Sequence, residues 1–417
     1  MNLEIGMTLH GFRVESAENL EEIDGRAYTL RHTASGARLL FLENDDENKA
    51  FSIAFKTPPA DSTGVFHILE HSVLCGSDKF PVKEPFVNLI KSSMQTFLNA
   101  MTFSDKTMYP VASTNEQDLL NLMDVYMDAV LHPAIYEKRA IFEQEGWHYE
   151  IDGPDEPLRY NGVVYNEMKG ALSDPDSVLY NALSAALFPD TAYAHESGGD
   201  PAVIPELTYE QFLDEHARHY RLDNSYIVLY GDMNIDRMLA FLDERYLSEE
   251  QKPAGAPNPL ELQAPVVNLD VVKQMETAPE NAAMGLGYVI GRASDRLRVI
   301  ATDILADVLM GSNEAPLKKA LLKAGIADDV DGYLIDAQLQ PALFVMTKGS
   351  KPDTADAFCE TVEQTARMLV DEGFDPERIE ASLARAEFLL RERDFGTADG
   401  VVLAMSAMAG WLYDDSM

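Results

Sequence analysis

The feature that most narrows what this chain can become is His67-Ile68-Leu69-Glu70-His71, an H-x-x-E-H pentapeptide inside the apolar run Gly64 to Leu74. Positions i and i+4 share one face of a helix, so a helix here makes the two imidazoles converge on a common point. Glu70 lies near that face but is offset from the line joining them. Two neutral imidazoles are the beginning of a Zn²⁺ site, and an unligated carboxylate beside them can take a proton from a water that the metal has acidified. The competing reading is a pair of helix-face histidines with ordinary partners. Ser62-Thr63 predicts an N-cap for this helix, and Gly76 stands where it would end.

The surrounding composition excludes several classes. The chain has 417 residues, 46% of them hydrophobic, enough for two or three domains with ordinary cores. Its two cysteines, Cys75 and Cys359, give no disulfide framework and point to a reducing compartment. The first ten residues lack a basic stretch followed by an apolar one, and no apolar run has the length of a membrane span. The expectation is a soluble, cytoplasmic protein with no membrane partner. A net charge of −37 argues against a nucleic-acid partner, whose phosphates need Lys and Arg. It is compatible with attraction of cationic peptides, but the spread of acids along the whole chain favours a solvated surface.

Proline, glycine and alanine collect between Ser248 and Pro259, which predicts a linker over 248–264 between a domain at 1–247 and another at 265–417. In the first, 26–42 and 49–56 read as strands around an acidic turn, Asn44 to Asn48, and 95–103 and 107–113 as shorter ones. Helical spacing appears at 116–131, 134–145, 163–187, 209–220 and 234–247, with a strand at 225–230. The second repeats this grammar loosely. It has strands at 266–275, 282–290, 330–335 and 343–348 and helices at 295–309, 353–371, 376–391 and 401–412. The fold class is α+β.

A catalytic zinc needs a third protein ligand and an open position. Glu167, early in the 163–187 helix, is the best candidate, with Glu143, Glu145 and Glu150 as competitors by position. Cys75, one turn beyond His71, reads as a structural thiol. His216 and His219 read as structural or solvent-facing, and Trp147 as a core anchor.

Beyond the pentapeptide, a series of blocks resembles the presequence-protease branch of the pitrilysin and insulysin metallopeptidases, the inverzincins. These are Ser72-Val73-Leu74-Cys75-Gly76-Ser77, Lys83 to Val87, Thr96-Phe97-Leu98-Asn99-Ala100-Met101-Thr102 and Asp105 to Ser113. Gln144-Glu145-Gly146-Trp147, the stretch Gly162 to Gly170 and Ser197-Gly198-Gly199-Asp200-Pro201 follow in the same order. The resemblance implies two homologous α/β-sandwich domains, each a mixed sheet with helices packed on it. It also implies one Zn²⁺ on His67, His71 and Glu167, Glu70 as general base, and Glu145 supporting the site from just outside the ligands. Asn99 and Ala100 would lie on an edge strand to which an oligopeptide substrate adds as a further strand. The implied activity is a zinc-dependent endopeptidase degrading unstructured oligopeptides. Members of the family carry a second half of similar size, so the expectation is a chain that partners a missing C-terminal half. The alternative is a non-catalytic, peptide-binding half or subunit that depends on such a partner. A purely structural zinc site fits less well, since those usually have four ligands rich in Cys.

Overall fold

The computed structural model describes residues 3–82, 85–248, 258–267, 270–393 and 395–414. In chain order the strands of the first 230 residues are β1 (Thr8–Leu9), β2 (Phe12–Leu20), β3 (Gly25–His32), β4 (Arg38–Glu43), β5 (Lys49–Lys56), β6 (Gln95–Leu98), β7 (Met101–Thr102), β8 (Lys106–Ser113), β9 (His148–Glu150), β10 (Arg159–Asn161) and β11 (Ser225–Tyr230). Among and after them run helices α1 (Val65–Val73), α2 (Pro85–Ser92), α3 (Glu116–Leu131), α4 (Arg139–Glu145), α5 (Val163–Ala171), α6 (Pro175–Leu187), α7 (Tyr209–His219) and α8 (Ile235–Leu242). The remainder contributes β12 (Gly285–Val289), β13 (Asp329–Ile335) and β14 (Ala342–Lys348). Its helices are α9 (Arg296–Met310), α10 (Pro316–Lys323), α11 (Ala355–Glu372), α12 (Pro376–Glu392) and α13 (Asp399–Trp411).

Two compact units form: Met1–Met168 with Glu196–Pro259 and Asp394–Ser406, and Lys169–His195 with Leu260–Arg393 and Ala407–Met417. This is a different division from a single cut across 248–264, and the packing explains it. Leu179, Leu183 and Leu187 on α6 pack with Phe344 and Met346 of β14, while Ala398 and Val401 pack with Tyr230 and Ala50. Apolar burial, not proximity in sequence, decides where each segment belongs. Residues 249–257 of the expected linker lie outside the described residues.

The first unit is built on a nine-stranded mixed sheet in the order β1-β2-β3-β4-β11-β5-β8-β6, with β7 also paired to β8. Every residue of β8 and β11 is buried. These are strands covered on both faces, which is why β11 is apolar from Tyr226 to Tyr230 and β8 from Met108 to Ala112 rather than alternating. β11 runs parallel to β4 and antiparallel to β5, and so separates the two. Asn44 to Asn48 is therefore not the tip of a hairpin. The expected single strand over 26–42 is also two, β3 and β4, split by a turn at Thr33 to Ala37. Helix α3 matches its expected span, and its Asn115 N-cap accepts from the Asp118 N–H.

The second unit holds a three-stranded antiparallel sheet, β12-β14-β13. Leu321, Ile326, Val330, Val345 and Phe358 form its core. The helix expected over 163–187 is two helices. Asp174 caps α6 and Pro175 opens it, because proline cannot donate within a continuous helix but suits a first turn. No strand forms at the described residues of 266–275, and α10 is an additional helix.

Candidate metal centre

Helix α1 is buried at every residue but His71, packed against α4, α7, β7 and β8. A helix so enclosed has room for His67 and Glu70 only if other parts of the unit satisfy them. It starts at Gly64, with no side-chain cap, so the expected capping by Ser62-Thr63 does not form. The two rings lie 5.0 Å apart between centroids.

Each ring is fixed at Nδ1. His67 Nδ1 donates to the Gly198 carbonyl at 2.8 Å, and His71 Nδ1 lies 3.3 Å from Glu145 Oε2. Both histidines thus present Nε2, and both Nε2 atoms face one carboxylate: Glu167 Oε1 is 3.8 Å from that of His67 and Oε2 is 3.7 Å from that of His71. Glu167 is brought there by a glycine contact at the start of α5. A Cβ on Gly162 would stand 2.1 Å from the Gly146 carbonyl, just beyond Glu145, so only glycine allows this approach. Donor atoms around a tetrahedral zinc stand about 3.3 Å apart, and each of these two nitrogen–oxygen separations exceeds that by roughly half an ångström. The donor set, two imidazoles with anchored Nδ1 atoms and a carboxylate, fits zinc chemically.

Ligand atoms of His67, Glu70 and His71 also lie within 4.8 Å of one another. Glu70 is 9% exposed and accepts from Thr102 Oγ1 at 3.1 Å. Burial raises its pKa above the ordinary carboxylate value, only partly opposed by the fields of His71 and His67 and by the Thr102 hydrogen bond. Burial pulls His71 down, but the Glu145 hydrogen bond and the charges of Glu70, Glu145 and Glu167 outweigh it and hold its pKa above the usual histidine value.

The structure thus brings together His67, Glu70, His71, Glu145 and Glu167, which the sequence distributes over a hundred positions. The competing carboxylates are engaged elsewhere: Glu143 accepts from Arg139 at 3.0 Å and Glu150 from Arg159 at 2.7 Å. Asn99 and Ala100 lie in the break between β6 and β7 rather than within one edge strand. The Asn99 N–H reaches the Pro110 carbonyl at 3.4 Å and its own carbonyl accepts from Tyr126 Oη at 3.2 Å. Cys75 Sγ contacts Glu145 Oε1 at 3.4 Å rather than the imidazoles. His216 bridges Tyr136 Oη and the Val130 carbonyl, and His219 pairs with Glu215. Two contributors escaped the reading of side-chain spacing, Thr102 and the Gly198 carbonyl. The only sequence trace of the latter is the glycine pair in Ser197-Gly198-Gly199-Asp200.

Comparison with known proteins follows the same lines. Residues 57–194 match the family model for insulinase (peptidase family M16), and residues 206–385 match that for the peptidase M16 inactive domain. Protein HypA of Clostridium perfringens is 46% identical over 99% of this chain and 43% of its own length. Presequence protease 1 of Arabidopsis thaliana, chloroplastic/mitochondrial, is 39% identical over 97% of the chain and 38% of its own length. The mitochondrial presequence protease of Danio rerio is 34% identical over 98% and 41%. The chain thus spans about two-fifths of the length of these relatives. Among solved structures, pitrilysin superposes with a TM-score of 0.68 at 16% identity over 96% of this chain and 42% of its own. The peptidase M16 inactive domain from Pseudomonas fluorescens does so with 0.68 at 15% identity, over 97% and 89%. These likenesses agree with the mixed α/β architecture, and the chain belongs to peptidase family M16.

Proposed function

We propose that this chain carries the catalytic centre of a zinc-dependent endopeptidase acting on unstructured oligopeptides. The observation that carries the reading is the convergence of two imidazole Nε2 atoms on the two oxygens of Glu167, with both Nδ1 atoms already engaged. His67, His71 and Glu167 would hold the metal, leaving a coordination position open. Zinc bound there would acidify a water and polarise the scissile carbonyl.

The remaining work falls to the chain's own groups. Glu70 accepts the proton of the attacking water and returns it to the leaving amine. Its burial favours that role, because a carboxylate with a raised pKa is a better base and, once protonated, a usable acid. Glu145 holds the His71 ring in the tautomer that exposes Nε2. The segment around Asn99 and Ala100 receives the peptide as an added strand, which gives affinity through main-chain groups with little demand on sequence.

The share of the relatives that this chain spans favours a second element of the proposal. Efficient turnover depends on a partnering half of comparable size, and the 417 residues alone bind zinc and peptide but cleave slowly. Metal analysis with peptide cleavage, using Glu70→Gln as control, tests the reading. We expect zinc to be retained and cleavage lost by 10²- to 10⁴-fold. Bound zinc with undiminished cleavage in that variant removes Glu70 from its role.

A further inference from the structure

We infer that Gly64 is a positioning residue for metal binding: lacking a side chain, it lets the Gly198 carbonyl reach His67 and fix that imidazole with Nε2 toward the site. The inference rests on the reading of His67 as a zinc ligand.

Gly64 has a φ of +67° and precedes the first residue of α1. A Cβ built on it would lie 2.6 Å from the Gly198 oxygen, 2.7 Å from the Gly199 Cα and 3.0 Å from the Gly198 carbonyl carbon. All three are backbone atoms, which cannot swing aside as a side-chain end can. The oxygen it would strike is the one that accepts the His67 Nδ1–H at 2.8 Å. A methyl group at residue 64 therefore acts on the acceptor that sets the tautomer and tilt of the ring.

The loop carrying that carbonyl is fastened to the segment before α1. The Asp200 N–H donates to the Ser62 carbonyl at 2.8 Å, and the Glu196 N–H to Ser62 Oγ at 3.2 Å. Within the loop, the Gly198 N–H donates to Glu196 Oε1 at 3.0 Å. On the other side, a Cβ on Gly198 would lie 2.7 Å from the Met168 Cε and Sδ, next to Glu167 in the chain. One loop thus touches the segments that present His67 and Glu167, and the close approach at Gly64 sets its distance from α1.

Left-handed backbone alone does not make this position special. Gly325 has a φ of +68° with nothing within 4 Å of its would-be Cβ. Alanine at either glycine meets the same backbone cost, but only at residue 64 does it meet the loop.

The test measures zinc affinity of the full 417-residue chain by chelator competition, together with the visible spectrum of the Co²⁺-loaded protein and the urea midpoint. Gly64→Ala should weaken zinc binding roughly 10- to 100-fold and change the Co²⁺ spectrum. Gly325→Ala should leave both unchanged while showing only the loss of stability that left-handed backbone brings. Gly198→Ala should fall between them, since the end of Met168 can move. Wild-type affinity in Gly64→Ala overturns the inference, as do equal affinity losses in Gly64→Ala and Gly325→Ala. Should Gly64→Ala not fold, Glu196→Ala, which frees the Gly198 N–H, should still weaken binding several-fold, and unchanged affinity there overturns it. His67→Ala separates the two ideas. If it binds zinc like wild type, the ligand assignment fails and takes this inference with it. If it loses zinc while Gly64→Ala does not, this inference alone fails.

Discussion

Glu145 uses both oxygens of one carboxylate: Oε2 lies 3.3 Å from His71 Nδ1 and Oε1 lies 3.4 Å from Cys75 Sγ. Removing that acceptor releases the ring of a proposed ligand without touching the donor atoms. Glu145→Ala should weaken zinc binding about 10- to 100-fold by chelator competition, with the fold intact by circular dichroism. Glu145→Gln keeps an acceptor oxygen and should lose less. Equal affinity in wild type and Glu145→Ala would leave Glu145 a merely structural residue.

Thr102 tests whether Glu70, the proposed general base, needs its hydroxyl partner. Its Oγ1 donates to Glu70 Oε2 at 3.1 Å. Without that hydroxyl Glu70 is no longer held in place, and this loss of positioning outweighs its gain in basicity, so Thr102→Val should lower kcat by about tenfold at unchanged zinc content. Thr102→Ser should restore most of it. The double variant Glu70→Gln/Thr102→Val should be no slower than Glu70→Gln alone, and an additive loss would show that Thr102 acts elsewhere.

Tyr126 is fully buried, and its hydroxyl holds the Asn99 carbonyl at 3.2 Å. Tyr126→Phe leaves that carbonyl without this partner and should cost about 1 kcal/mol in urea unfolding. If the break between β6 and β7 receives peptide, the same change in a Glu70→Gln background should weaken peptide binding. Unaltered binding in a fluorescence titration would move the docking strand away from Asn99.

Stability toward acid should reside partly in Asp128. Burial by itself would raise this carboxyl, but hydrogen bonds from His132 and the Lys79 N–H outweigh it and hold its pKa below the ordinary value. A group depressed in the folded state stabilises above its unfolded pKa, and that contribution is lost as pH falls through the folded one. Urea midpoints of the wild type should therefore drop below about pH 4. Asp128→Asn should be less stable at pH 6 and should converge with wild type as the pH falls. A constant gap between the two would rule out this origin.

Much of the fold was legible in the sequence where local chemistry and packing agree. Asn115 followed by apolar residues at helical spacing marks α3 to the residue, and the β-branched and aromatic run Ser225–Tyr230 marks β11. Strand order was not legible. β11 separates β4 from β5, and no local pattern near Asn44 could announce a strand so distant in the chain. Apolar spacing on both sides of Asp174-Pro175 hid the break between α5 and α6, although an N-cap residue followed by proline was itself the signal. At the candidate site, side-chain types and spacing pointed to His67, Glu70 and His71. The partner of His67 is a main-chain carbonyl, which every residue possesses, so side-chain identity could not single out Gly198. What could be read was the residue type that lets that carbonyl approach.

The two imidazoles come from one turn and a half of helix, yet the groups that orient them lie 74 and 131 residues further along the chain. During synthesis, α1 leaves the ribosome long before Gly198 exists. A chain at that stage has the pentapeptide but neither oriented rings nor Glu167, and its hold on a metal is that of a short flexible peptide. On the proposed function, hydrolytic competence then arrives only with completed tertiary structure. On this reading the architecture acts as its own safety catch, keeping a peptide-cutting centre inert while the most cleavable peptide nearby is the enzyme's own unfinished chain.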